Sequence, residues 1–264
     1  MNTLTQSVIF EGIGIHSGKK VKMSVGPSRA EGISFELNQQ DVLVESSAIG
    51  INHIRSTSLT NGSITIQTPE HFLAACYALE LNHVSVQLDS EELPILDGSS
   101  IDFINKLNPH LIKINSKDKE KLTIRTDVEF KISNSHYFVF PSDKLKISVF
   151  LSYPDHWIKS MSFYYEHSKE AFIQSIASAR TYGFTHEIEA LKAQGLAKGG
   201  SLDNALIVSD NGYLNDPRYE DELARHKILD FIGDMSICGK EVCGHFVLIR
   251  PSHLGNCELL KKLV

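Results

Sequence analysis

Apolar and polar residues alternate through Val21-Lys-Met-Ser-Val25, Ile33-Ser-Phe-Glu-Leu37 and Ile64-Thr-Ile66, the two-residue period of half-buried strands. The same period returns in Leu122-Thr-Ile124, Tyr137-Phe-Val-Phe140 and Leu145-Lys-Ile-Ser-Val-Phe150. Between the two sets lies Lys113-Ile-Asn-Ser-Lys-Asp-Lys-Glu-Lys121, too charged to sit in a core, which separates residues 1–112 from residues 122–264. In each part strands come first and helix later. That order predicts an α+β protein of two domains joined by a 113–121 linker, rather than a doubly wound parallel sheet.

Four segments carry the helical signal. The first is expected to start with Thr68 as N-cap and Pro69 at the first helical position, where a missing N–H costs nothing, and to run to about Asn82. Others are expected over Lys169 to Ser178, over Glu187 to Gln194 before Gly195, and over Arg218 to Cys238. On the last, Glu222, His226, Asp230 and Asp234 recur every four residues and so form one slowly drifting stripe. Ile228, Leu229, Ile232 and Met235 make an apolar face beside it.

With 42% hydrophobic and 22% charged residues among 264, the composition is that of a folded chain. At this length roughly 70–75% of the unfolded surface can be buried without disulfides. The formal charge of -6 and the lack of a basic block argue against a nucleic-acid partner. Neither a signal peptide nor an apolar run of membrane length is present, and Cys76, Cys238, Cys243 and Cys257 read as buried free thiols. A reduced, cytoplasmic monomer without stable membrane insertion is expected.

A His and an Asp one helical turn apart can grip one metal ion from a rigid support; on a solvated helix the same pair is an ordinary surface contact. Glu70-His71 adds a carboxylate and an imidazole at a helix start, where the dipole favours an ionised Glu. Glu70 there is equally a capping acid and His71 a packed histidine. Taken together, the four residues supply three ligands and a base, the composition of a catalytic zinc site with one open position.

Seven segments, in order along the chain, carry a more specific resemblance. They are Gly14-Ile-His-Ser-Gly18, Thr68-Pro-Glu-His71, Leu93-Pro-Ile-Leu-Asp-Gly-Ser99, Ser178-Ala-Arg-Thr-Tyr-Gly-Phe184, Gly199-Gly-Ser-Leu-Asp-Asn-Ala205, Arg218-Tyr-Glu-Asp-Glu222, and His226-Lys-Ile-Leu-Asp230 with Gly233-Asp234. The chain resembles the zinc-dependent UDP-3-O-acyl-N-acetylglucosamine deacetylases of lipid A biosynthesis. The resemblance implies two similar α+β domains, with helices sandwiched between two sheets and the active site at the domain interface. It implies one zinc ion per chain, with iron(II) as the other metal to consider, held by His71, His226 and Asp230. Glu70 is then the general base, His253 the charged partner oriented by Asp234, and Thr181 the oxyanion donor. Lys227, Tyr182 and His16 fall among the substrate contacts. Ala190, Leu191 and Leu196, between Glu189 and Gly200, are the expected wall of an acyl passage. The substrate implied is UDP-3-O-acyl-N-acetylglucosamine.

The sequence departs from the family pattern at a few positions. Pro69 stands where Val is common and Tyr182 where Phe is usual. Ser252 replaces the Gly that normally precedes the histidine, a strained choice wherever φ must be positive. His156-Trp157 replaces a His-Pro pair near the nucleotide, which makes Trp157 a candidate base platform. The other functions considered are a metal-dependent deacetylase of a different N-acyl sugar and a catalytically silent UDP-sugar-binding relative.

Overall fold

Alternation decides which side of each strand is buried. In the strand Lys20–Pro27, for example, Val21, Met23 and Val25 are buried and Lys20 and Lys22 exposed. The computed structural model describes residues 1–50, 55–115 and 119–264. A seven-stranded sheet orders Val8–Ile13, Lys20–Pro27, Leu81–Leu88, Asn2–Leu4 and Leu111–Lys113, with Gly32–Leu37 parallel to Leu81–Leu88 and Gln40–Leu43 paired to Gly32–Leu37. A six-stranded sheet orders Val128–Ile132, Ser135–Phe140, Glu241–Ile249, Leu145–Tyr153 and Lys159–Glu166, and Lys121–Thr123 also pairs with Glu241–Ile249. The last strand of the first sheet ends at Lys113 and the first strand of the second begins at Lys121. The charged stretch therefore falls between them, although residues 116–118 of it lie outside the described residues.

The described helices are α1 (Glu70–Ala78), α2 (Ile101–Leu107), α3 (Lys169–Ser175), α4 (Thr185–Ala193), α5 (Glu222–Ser236) and α6 (His253–Leu263). α1 packs on the strand Leu81–Leu88, and α5 on Leu145–Tyr153, Lys159–Glu166 and Glu241–Ile249. The two helices also pack on each other, so they lie between the sheets in an α+β fold. All nine residues of α1 are buried, as a helix covered on every side requires.

Several elements differ from expectation. Thr68 does not cap α1: its backbone is left-handed (φ 58°), its hydroxyl lies 3.4 Å from Glu92, and the carbonyl of Pro69 accepts the first helical bond. α1 stops at Ala78 rather than Asn82, because Glu80 turns the chain with φ 51° into the alternating strand Leu81–Leu88. α3 ends at Ser175, α4 begins at Thr185, and α5 covers Glu222–Ser236 rather than Arg218 to Cys238. Arg218 and its neighbours form a turn whose peptide N–H binds the side chain of Glu222.

α2 and α6 lie outside the four segments that carry a helical signal in the sequence. Ser252 carries no strain: at φ -139° it is the N-cap of α6, its hydroxyl accepting from the Gly255 N–H. The four cysteines are free, with Cys238 half-buried rather than buried. Among the described residues no helix is long and apolar enough to cross a membrane.

Candidate active site between the two central helices

The site exists because α1 and α5 approach to backbone contact. A Cβ on Gly233 would collide with the main chain of Glu70, so glycine there lets the start of α1 lie directly on α5. The contact brings Glu70 and His71 to the stripe of α5. Glu222, His226, Asp230 and Asp234 are only 0–2% exposed, which excludes a solvated helix face. Four polar side chains on the buried side of a helix need partners, and they have them.

His71, His226 and Asp230 offer ligand atoms that all lie within 4.8 Å of one another. Asp230 Oδ1 stands 3.5 Å from His71 Nε2 and 3.2 Å from His226 Nε2, yet it has no hydrogen-bond partner, and neither has His71 Nδ1. His226 Nδ1 lies 3.0 Å from the Ala179 carbonyl, which can only accept, so Nδ1 carries a proton and Nε2 is the nitrogen that faces Asp230. A ring nitrogen and a carboxylate oxygen thus face each other in a buried place, where a proton or a metal cation can lie between them. These residues can hold a metal ion.

The charge states favour the same conclusion. Burial lowers the pKa of His71, against the opposing pull of the Asp230 carboxylate, and favours the neutral form that has a ligating lone pair. Burial alone would raise Asp230, but His226, Lys227 and His253 hold it well below the usual carboxylate range. Lys227 Nζ donates to Asp230 Oδ2 at 2.8 Å, which leaves Oδ1 for the cluster.

Glu70 and His253 flank the ligands. His253 Nε2 is 3.8 Å from Glu70 Oε1 and 3.7 Å from Asp230 Oδ2. Burial pushes Glu70 up to about 8, with His253 opposing and Asp234 and Asp230 adding. For His253 burial lowers the pKa, but Asp234, Asp230 and Glu70 outweigh it and bring it to about 9. His253 Nδ1 is 3.0 Å from Asp234 Oδ2, which also accepts from Asn256 Nδ2 at 2.8 Å. The structure thus brings together His253 and Asp234, the two residues that the resemblance pairs.

A cavity of about 590 Å³ opens from the cluster. It is lined by Glu70, His71, His226, Asp230 and His253, and also by His16, Thr181, Tyr182, Leu191 and Lys227, so these expected site residues share one space. Asp234 stands behind His253 instead. Ile188, Leu202, Ile207 and Leu214 join Leu191 on an apolar wall. Ala190, on the exposed side of α4, does not line the cavity, and neither does Leu196, which lies beyond the end of that helix. Trp157 is likewise outside: it borders a separate groove with Tyr213 and donates Nε1–H to the Ser209 carbonyl at 2.8 Å. The Tyr182 hydroxyl meets that of Tyr153 at 3.1 Å, and Lys227 Nζ lies 5.5 Å from the Tyr182 ring centre.

Residues that no motif reading assigned a role hold the site's loops. Glu222 accepts from the Arg180 peptide N–H and from Nε, both at 2.9 Å, and so fixes the segment whose Ala179 carbonyl orients His226. Glu92 accepts from the peptide N–H groups of His16 and Ser17, each at 2.8 Å. A Cβ at Gly14 would strike that carboxylate, which accounts for the first glycine of Gly14-Ile-His-Ser-Gly18. Arg55 reaches over to Glu187 on α4 at 2.7 Å. Neutral short side chains such as Thr57 and Asn256 gave no signal at all, since nothing in their spacing marks them.

Known proteins resemble this chain over its whole length. The sequence profile described as LpxC, UDP-3-O-acyl N-acetylglycosamine deacetylase, matches residues 1–264. A UDP-3-O-acyl-N-acetylglucosamine deacetylase of Citrifermentans bemidjiense is 34% identical over 269 residues, covering 99% of this chain and 88% of that protein. Those of Leptospira biflexa and Thermodesulfovibrio yellowstonii are also 34% identical, covering 98% and 99% of this chain and 88% and 91% of theirs. With the match running through both sheets and every helix of the site, the chain belongs to the LpxC family of UDP-3-O-acyl N-acetylglycosamine deacetylases.

Proposed function

We propose that this chain hydrolyses the N-acetyl group of UDP-3-O-acyl-N-acetylglucosamine to the free amine and acetate, the committed step of lipid A biosynthesis, and that it does so in the cytoplasm with one zinc ion. The observation that carries the reading is the buried convergence of His71, His226 and Asp230 beside Glu70 and His253. The donor set, two imidazoles and one carboxylate with ligand atoms within 4.8 Å of one another, is one that zinc takes. Division of the chain into two domains at 113–121 is supported by the ends of the two sheets on either side.

Zinc bound there supplies Lewis acidity, acidifying water and polarising the amide carbonyl. Glu70, buried and beside the ligands, takes the proton of the attacking water. Thr181 donates its hydroxyl to the oxyanion, in a site where burial makes such a bond worth more than in water. His253, held by Asp234, brings positive charge to the oxyanion and a proton to the leaving amine. Lys227, Tyr182 and His16 contact the sugar nucleotide, and the wall around Leu191 receives the acyl chain.

Acetate release from the UDP-acyl-sugar, before and after chelation and on zinc return, tests the reading. Glu70→Gln should keep the metal and lose about 10²–10⁴ in kcat. Acetate release that is indifferent to chelator, or a Glu70→Gln variant as fast as the parent, refutes it.

A further inference from the structure

Thr57 lies outside every sequence motif, just before the short strand Ser58–Thr60, and is completely buried. Its peptide N–H donates to Glu70 Oε2 at 3.3 Å. Its hydroxyl donates to Asp234 Oδ1 at 2.6 Å and lies 3.3 Å from His253 Nδ1. Its carbonyl accepts from the Thr68 N–H at 3.0 Å, just before the start of α1. One residue therefore touches the base, the group that orients the acid, the acid itself, and the turn that delivers the base.

Counting protons makes the arrangement definite. A hydroxyl has one hydrogen, and the short contact to a carboxylate takes it, so Thr57 donates to Asp234. The His253 Nδ1–H and the Asn256 amide both go to Oδ2, leaving Thr57 as the donor on Oδ1. Asp234 is fully buried, and with Oδ1 stripped of its donor the carboxylate would turn to recover a partner, carrying His253 with it. The other end works through the backbone. With Oε2 of Glu70 engaged by the Thr57 N–H, Oε1 is the oxygen left facing His253. Thr57 is β-branched, so its χ1 is stiff and the hydroxyl keeps its direction.

We infer that Thr57 is a positioning residue of the reaction, setting the base Glu70 through its peptide N–H and the acid His253 through its hydroxyl and Asp234. This rests on the reaction proposed above.

The experiment compares Thr57→Val, which keeps the shape and loses the donor, with Thr57→Ser, which keeps the donor. The zinc enzyme and the UDP-acyl-sugar are used throughout. The valine variant should bind stoichiometric zinc, keep KM within about 3-fold and lose about 10–100-fold in kcat, the worth of a hydrogen bond to a charged group. The serine variant should recover most of the loss. In a His253→Ala background the valine change should cost less than about 3-fold more, because the residue it acts through is gone. A general loss of structure would instead multiply through that background undiminished. Thr57→Ala carries the same comparison if the valine variant does not fold.

A valine variant with parental kcat, or one whose loss is equally large without His253, overturns the inference while leaving the reaction standing. A parent enzyme that releases no acetate from this substrate overturns both.

Discussion

Replacing Gly233 by alanine sets two effects of opposite sign against each other at the contact that builds the site. Within a helix, Ala is favoured over Gly by about 1 kcal/mol, so on α5 taken alone the change stabilises. Against it stands the position of the new methyl. A Cβ at Gly233 falls on the carbonyl oxygen of Glu70, 2.8 Å from its carbonyl carbon and 2.9 Å from its Cα. These are main-chain atoms at the start of α1 and cannot swing aside as a side-chain tip would. Restoring 3.4 Å, the near edge of ordinary contact, requires about 0.6 Å of separation at the carbon and more at the oxygen. Overpacking of this kind costs about 1–3 kcal/mol, enough to cancel the helix gain and leave the variant up to about 2 kcal/mol less stable.

Function suffers more than stability, because α1 carries Glu70 and His71 while α5 carries His226, Asp230 and Asp234. Moving the helices apart by about 0.6–1 Å widens the His71, His226 and Asp230 cluster and shifts Glu70 from His253. A catalytic constellation tolerates about 0.5 Å, and a misplacement of about 1 Å costs about 10²-fold. Gly233→Ala should therefore lose about 10–100-fold in kcat/KM for acetate release and bind zinc more weakly in chelator competition, while its thermal transition remains cooperative. A variant about 1 kcal/mol more stable than the parent, with parental kcat/KM and zinc affinity, would refute the argument. It would mean that α1 yields freely and that the close approach is not what sets the site.

Leu191→Gln should lower kcat/KM for the 3-O-acyl substrate by about 15–50-fold, equivalent to two or three buried CH₂ groups at about 0.8 kcal/mol each, and hardly change it for a substrate lacking the chain; equal losses for both would place the chain elsewhere. A pH effect on stability is expected away from the site at His167, whose pKa burial lowers to about 4, with Lys119 adding and Glu241 opposing. Between pH 6.5 and 4 the unfolded chain takes up a proton that the folded ring refuses, so stability falls as the pH drops through this window. For a half-buried ring the loss should be about 1–2 kcal/mol after solvent screening, and urea titrations of His167→Gln should show a correspondingly flatter profile; an identical pH slope in the variant removes His167 as the cause.

The linear order of residues determined a good deal by itself. Two-residue alternation placed six of the strands, because each has one face on a core and the other side chains nearer solvent, but it did not mark the central strands Leu81–Leu88 and Glu241–Ile249. Four-residue spacing aligned Glu222, His226, Asp230 and Asp234 on one stripe, because a helical turn is close to four residues. Neither pattern says whether that stripe meets water or protein. Only the packing of α5 between a sheet and α1 decided it, with Gly233 permitting the contact, and burial turned an ordinary surface pairing into a metal-binding group. Local preference failed where packing overrode it. Gly255 and Asn256 are poor helix formers, yet they lie in the first turn of α6. There Ser252 caps the helix, Asn256 binds Asp234, and the absent Cβ of Gly255 makes room for Tyr137. Thr57 was invisible for a related reason. Its whole significance lies in contacts 13, 177 and 196 residues away along the chain, and spacing within one element carries no information about residues that only folding brings together.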